Sequence, residues 1–128
     1  MLLCGVAVIH TVGPVWKGGN HREAEMLASC YTTALEIAVR FGIATIAFQS
    51  ISTGIYAYPV EEAANVAVTA VNTFVKLHPN KLRKVRWVLF DQNTYEVYRK
   101  EIERQLVTDV VNSSELDRIN RILRNGGV

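Results

Sequence analysis

The sequence predicts one α/β domain, a helix-covered sheet whose strands are mostly parallel. Two observations carry this. Short apolar runs rich in β-branched residues occur at residues 6–12, 43–48 and 84–90, and stretches of helical periodicity separate them. Gly13-Pro14, Gly42, Pro59 and Pro79 punctuate the boundaries. Strands that alternate with helices imply parallel pairing through right-handed crossovers.

Residues 6–12 form an apolar run suited to a strand buried on both faces, as parallel sheets require. Residues 18–20 read as a loop, and Asn20 with Glu23 three residues on resembles a capping box for the first helix. Ala24, Leu27, Ala28, Tyr31, Leu35 and Ala38 then make one apolar stripe, and Gly42 stands where a helix C-terminus favours glycine. Residues 43–48 are the next strand. Pro59 opens a second helix with Val60, Ala64, Ala67, Val71 and Phe74 on its inner face, ending before His78-Pro79. Residues 84–90 are the third strand, and residues 91–106 a helix with Tyr95, Tyr98, Ile102 and Leu106 inward. Residues 107–111 have β character. Ser113 or Ser114 could cap a last short helix through Leu116, Ile119 and Leu123, read as an appended packing element. The division is therefore residues 1–107 as the domain and 108–128 as an extension.

Composition excludes several classes. Apolar residues make up 49% and charged residues 20% of 128 positions, which is globular rather than disordered composition. A net charge of +2 gives no electrostatic case for nucleic acid. Lys76, Lys81, Arg83, Lys84 and Arg86 cluster around the Pro79 turn without interleaved aromatics, so they read as a solvated turn. Cys4 and Cys30, with no paired spacing and no histidine cluster, read as reduced thiols of a cytoplasmic protein, not a disulfide or a metal site. The opening apolar run has no basic lead-in and is too short to span a bilayer.

Chemistry concentrates in residues 49–59, Gln-Ser-Ile-Ser-Thr-Gly-Ile-Tyr-Ala-Tyr-Pro. This stretch leaves a strand and enters a helix whose first turn carries Glu61 and Glu62. Such a junction aims backbone N–H groups at one spot and suits a phosphate or another anion. Gly54 permits close backbone approach, and Ser50, Ser52 and Thr53 offer hydroxyls. An ordinary strand-to-helix turn of small polar residues has the same composition.

The same stretch resembles the second ligand loop of the macrodomain family, in the branch that binds ADP-ribose and hydrolyses its esters. Ile9-His10-Thr11-Val12-Gly13-Pro14-Val15-Trp16, Gly18-Gly19-Asn20-His21-Arg22-Glu23-Ala24-Glu25 and Leu27-Ala28-Ser29-Cys30-Tyr31 are similar to that branch in the same order. The resemblance covers residues 8–102 and implies a three-layer helix-sheet-helix fold. It also implies that backbone N–H groups of Ser52, Thr53, Gly54, Ile55 and Tyr56 hold a diphosphate, that Tyr56 flanks the distal ribose, and that Ser50 shapes the loop. Ala57 stands where the family usually has glycine, which costs strain if that position needs positive φ. Phe90 and Asp91 match the region that meets the adenine; read from the residues alone, they are a core phenylalanine and a capping aspartate.

No position matches the family's early acidic residue, its Asn-Ala-Ala-Asn stretch or its glycine-rich run. The expectation is thus an N-terminally truncated member that lacks the usual N-terminal strands and first ligand loop. No catalytic residue is assigned, and no cofactor or metal is expected. His10 is read as a buried, hydrogen-bonded histidine, His21 as exposed and Trp87 as packed against the sheet. The leading functional reading is weak, non-catalytic binding of ADP-ribose or a related phosphate-bearing nucleotide. The alternatives are an ADP-ribosyl-ester or O-acetyl-ADP-ribose hydrolase completed by a partner chain, and a dimerising module without ligand. An exposed sheet edge further suggests a homodimer; no membrane or nucleic-acid partner is expected.

Overall fold

The computed structural model describes residues 7–110, with side chains for 7–106. The order is α1 (Glu23–Arg40), β1 (Thr45–Phe48), α2 (Val60–Leu77), β2 (Lys84–Trp87) and α3 (Gln92–Val110). β1 and β2 pair in parallel, Thr45 opposite Lys84 and Phe48 opposite Trp87, as the alternation of elements predicts.

α1 buries Leu27, Tyr31, Ala34, Leu35 and Ala38; of the expected stripe, Ala24 is exposed and Ala28 half-buried. α2 buries Ala63, Ala64, Ala67, Val68, Val71 and Phe74. Its small alanines let α1 and α3 approach it closely from either side. Phe48 and Tyr98 close the core, with Ile46, Val85 and Trp87 packed beside them. Tyr31 sits edge-on to Phe48, with ring centroids 4.8 Å apart. At the end of α1 the Gly42 N–H bonds to the Val39 carbonyl and Gly42 takes φ 70°, the left-handed stop that glycine permits.

Several expectations fail. Residues 7–12 form no strand: no ladder hydrogen bond joins them to β1 among the described residues, Val8 and Val12 face solvent, and only Ile9 reaches the core. An apolar run becomes a strand only where a neighbouring backbone pairs with it. His10, on the same segment, is exposed rather than buried for the same reason. The capping box also fails. Arg22, not Asn20, precedes the helix, in a left-handed conformation at φ 62° and without a side-chain cap. Finally, α3 continues through Val110, so residues 107–110 are helical, and Tyr95 and Leu106 of its expected inner face are half exposed. The stripe is rotated: Thr94 and Tyr98 are buried, and Glu101 and Gln105 meet α2 through hydrogen bonds with Asn65, Thr69 and Asn72. β2 is shorter than the apolar run that foretold it, ending at Trp87. The expected element at residues 113–123 lies outside the described residues.

Candidate functional site

The stretch of residues 49–59 leaves the C-terminal end of β1 and enters α2, as its sequence predicts. Its shape comes from two backbone hydrogen bonds, Ala57 N–H to the Gly54 carbonyl and Tyr58 N–H to the Ser52 carbonyl, both 2.9 Å. These leave the N–H groups of Ser52, Thr53, Gly54, Ile55 and Tyr56 without an acceptor among the described residues. Ile55, at the tip, is 97% exposed. Ser52 and Ala57 adopt φ 68° and 60°. The positive φ anticipated at Ala57 is therefore real, and alanine holds it against the steric preference of an L-residue.

Gly54 has a negative φ, and a Cβ added to it would meet nothing within 4 Å. Its value lies in the open space above the backbone, not in special dihedral freedom. Gly13 is the opposite case: a Cβ there would stand 2.5 Å from Ile51 Cγ2 and collide with Ser52 Oγ. Ser52 Oγ itself is buried without a partner. The segment before α1 is thus pressed directly against the loop. Trp16 pins it there, donating its backbone N–H to the Tyr56 carbonyl at 2.9 Å and laying its ring against Tyr58 with centroids 4.7 Å apart.

Below the loop runs a chain of hydroxyls. Ser50 Oγ meets Thr53 Oγ1 at 2.6 Å and the Tyr98 hydroxyl at 2.9 Å, and the Thr53 hydroxyl also bonds to the Ser50 carbonyl. The Tyr31 hydroxyl donates to the Gln49 carbonyl and accepts from Trp87 Nε1, both at 3.4 Å. Burial pushes the Tyr31 and Tyr98 phenols up, so both are neutral hydrogen-bonding groups at ordinary pH.

Glu23 supports the other flank. It is 1% exposed, and its carboxylate accepts the N–H groups of Lys17, Gly19 and His21. Burial opposes its charge, but these backbone donors prevail and hold the carboxyl down at about 2. The sequence signal that suggested a capping box had picked the right residue, but its partners are the preceding loop and not Asn20.

The predicted residues divide into two groups. Ser50, Ser52, Thr53, Gly54, Ile55, Tyr56 and Ala57 are together in the loop. Phe90 and Asp91 follow β2, at the same end of the sheet. Phe90 is 86% exposed, not a core residue, and Asp91 caps α3 through the Thr94 N–H at 2.8 Å and the Thr94 hydroxyl at 2.9 Å. Those bonds hold the Asp91 carboxyl below its ordinary value. Gly13, Trp16, Glu23 and Tyr98 are loop supports that the sequence reading missed. Tyr98 was read as core, and nothing in its spacing reveals that its hydroxyl reaches Ser50, 48 residues earlier.

An α/β domain with a glycine-containing strand-to-helix loop between β1 and α2 defines the class of protein, and comparison with known proteins gives the family. The Macro domain profile matches residues 3–67, and the chain belongs to the macrodomain family. A macro domain-containing protein of Caldanaerobacter subterraneus is 50% identical over 96 residues, which is 75% of this chain and 54% of that protein. An O-acetyl-ADP-ribose deacetylase of Klebsiella pneumoniae is 49% identical over 94 residues, 73% of this chain and 53% of the enzyme. The Oceanobacillus iheyensis macrodomain with ADP superposes with a TM-score of 0.72 at 36% identity, over 77% of this chain and 51% of the other. The Trypanosoma brucei macrodomain in complex with ADP-ribose gives 0.66 at 33% identity, covering 71% and 37%. The chain spans about half the length of the relatives it matches.

Proposed function

We propose that the loop of residues 50–59 binds ADP-ribose or a related phosphate-bearing nucleotide. The observation that carries this is the run of N–H groups from Ser52 to Tyr56, without an acceptor among the described residues and held at both ends by hydrogen bonds. Such a run suits a diphosphate. The ligands of the Oceanobacillus and Trypanosoma macrodomains, ADP and ADP-ribose, are of this kind. Ser50 shapes the loop, Tyr56 flanks the ribose beyond the diphosphate, and exposed Phe90 offers a face to the base.

Binding is modest and non-catalytic in this reading. The groups beside the loop are the hydroxyls of Ser50, Thr53 and Tyr98, and Asp91 is committed to Thr94. None of these is a general base near neutral pH. A calorimetric titration with ADP-ribose, with AMP as control, tests the proposal. Saturable heat that Gly54→Glu removes supports it; no heat in the millimolar range refutes it. Ester hydrolysis is a second reading, favoured by the similarity to the Klebsiella deacetylase. It requires a proton acceptor from a partner chain or from beyond the described residues, and turnover of O-acetyl-ADP-ribose by the purified chain would establish it.

A homodimer in the cytoplasm completes the proposal. A groove of about 560 Å³ runs between residues 7–11 and β1, lined by Ile9, Ala34, Ile43 and Ile46. Its lining also includes His10, Thr11, Thr45 and Gln49, so it offers a second copy a mixed polar and apolar seat beside a strand edge that is unpaired among the described residues. Light scattering that finds only monomer at micromolar concentration would refute the dimer. Among the described residues no helix is long and apolar enough to cross a membrane.

A further inference from the structure

We propose that the open face of the β1–β2 sheet binds single-stranded nucleic acid, with Lys84 and Arg86 on phosphates and Phe90 stacked on a base. The strand register sets Lys84 beside Thr45 and Arg86 beside Ala47. Both cations therefore stand next to small side chains, over a shallow groove of about 330 Å³ formed by Thr45, Ile46, Ala47, Lys84 and Arg86. The alternation of a strand continues past β2, because the Val88 N–H still bonds to the Phe48 carbonyl at 2.8 Å. Val85, Trp87 and Leu89 pack on the core, whereas Lys84, Arg86, Val88 and Phe90 are exposed. One face thus carries two cations and then an apolar step, and an aromatic ring that is 86% exposed follows at the bend that leads into α3.

The state of the cations separates this face from an ordinary solvated surface. Arg22, Arg99 and Arg104 on the helices each hold a glutamate. Lys81, Arg83, Lys84 and Arg86 form no ion pair among the described residues. Unpaired cations retain their full attraction for an anionic polymer, and releasing that polymer's counterions drives binding. In sequence the basic run has no interleaved aromatics, and the adjacent Trp87 packs on the core. The fold leaves one aromatic available, the exposed Phe90 just beyond the end of β2. An acidic polypeptide would be satisfied by the cations alone and has no use for an exposed phenylalanine; a nucleobase does. The inference shares Phe90 with the ADP-ribose proposal but places its phosphates on the Lys84 and Arg86 side chains and not on the loop amides, so Gly54→Glu separates the two.

Fluorescence anisotropy of a short labelled oligouridine, titrated at several salt concentrations, tests it. Saturable binding at low salt is expected. The Lys84→Gln/Arg86→Gln variant should bind more weakly, with a salt slope shallower by about 1.4, since each lost phosphate contact on a single strand is worth about 0.7. Phe90→Ala should weaken binding about 5- to 150-fold, the range for one stacked base. Gly54→Glu should leave oligouridine binding intact while abolishing ADP-ribose binding. All four side-chain positions are at the surface, and matching thermal melts will verify that the variants fold. No saturable binding, an unchanged slope in the double variant, or loss of binding in Gly54→Glu would overturn the proposal. So would effective competition by polyglutamate with no effect of Phe90→Ala, which would assign the face to an acidic polypeptide.

Discussion

Gly13 and Ser52 are in such close contact that no side chain fits between them. A Cβ on Gly13 would strike Ser52 Oγ and lie 2.5 Å from Ile51 Cγ2. The segment before α1 and the loop after β1 are thereby fitted to each other, although 39 positions separate them in the numbering from 13 to 52. Gly13→Ala must push the two apart, at about 1–3 kcal/mol for an overpacked contact. A melting temperature lowered by several degrees, together with weaker ADP-ribose binding, is the expected result. An unchanged melt would show that the segment yields freely.

Gly54 behaves differently because the space above it is empty. Gly54→Ala and Gly54→Glu should both melt within about 0.5 kcal/mol of the parent, as surface changes do. Calorimetry should then find ADP-ribose binding weakened at least about tenfold in the alanine variant and lost in the glutamate variant, which also brings like charge to the diphosphate. Equal binding in all three proteins would remove the loop from the ligand site.

Ala57 occupies φ 60°, where an L-residue carries about 1–2 kcal/mol of strain, and glycine loses part of that advantage to its freer unfolded chain. Ala57→Gly should therefore stabilise the protein by up to about 1 kcal/mol in urea unfolding. A destabilised variant would show that the methyl group contributes more by packing than the dihedral costs.

The Tyr98 hydroxyl is the long-range partner of Ser50, at 2.9 Å. Tyr98→Phe keeps the buried ring but removes this hydrogen bond, at a cost of about 0.5–1.5 kcal/mol. Ser50 and Thr53 can still satisfy each other, which keeps the cost in the lower part of that range. The expected signature is a small loss of stability with a larger loss of nucleotide affinity, as the loop loses its underlying support.

Glu23 makes stability depend on acid. Its carboxyl is held at about 2 in the folded chain against an ordinary value of 4.5, so the unfolded chain takes up the proton first. The resulting stabilisation is fully present above about pH 4.5 and is lost as the pH falls toward 2. Glu23→Gln should be less stable at neutral pH and show a flatter stability profile across that window. Parallel profiles for parent and variant would place the acid sensitivity in another carboxylate.

Local periodicity was enough to find α1, α2, β1 and β2. Each is specified by residues three to four or two positions apart: Leu27, Tyr31 and Leu35 on one helix face, Val85 and Trp87 on one strand face. The loop from Ser50 to Ala57 was equally legible, since its chemistry is contiguous in the chain. Gly42 and Pro59 marked boundaries through their own backbone preferences, which no partner has to supply. Tertiary structure decided everything that needs a distant partner. Residues 7–12 carry strand-like composition but make no ladder, because pairing belongs to two segments. Glu23 was visible as a capping residue, yet only the fold shows it gathering the Lys17, Gly19 and His21 amides. The contact of Gly13 with Ser52, the reach of Tyr98 to Ser50 and the gathering of Lys84 and Arg86 with Thr45 and Ala47 on one sheet face likewise required the folded chain. Composition and spacing fix what a segment can become, and the neighbour brought to it by folding fixes what it does.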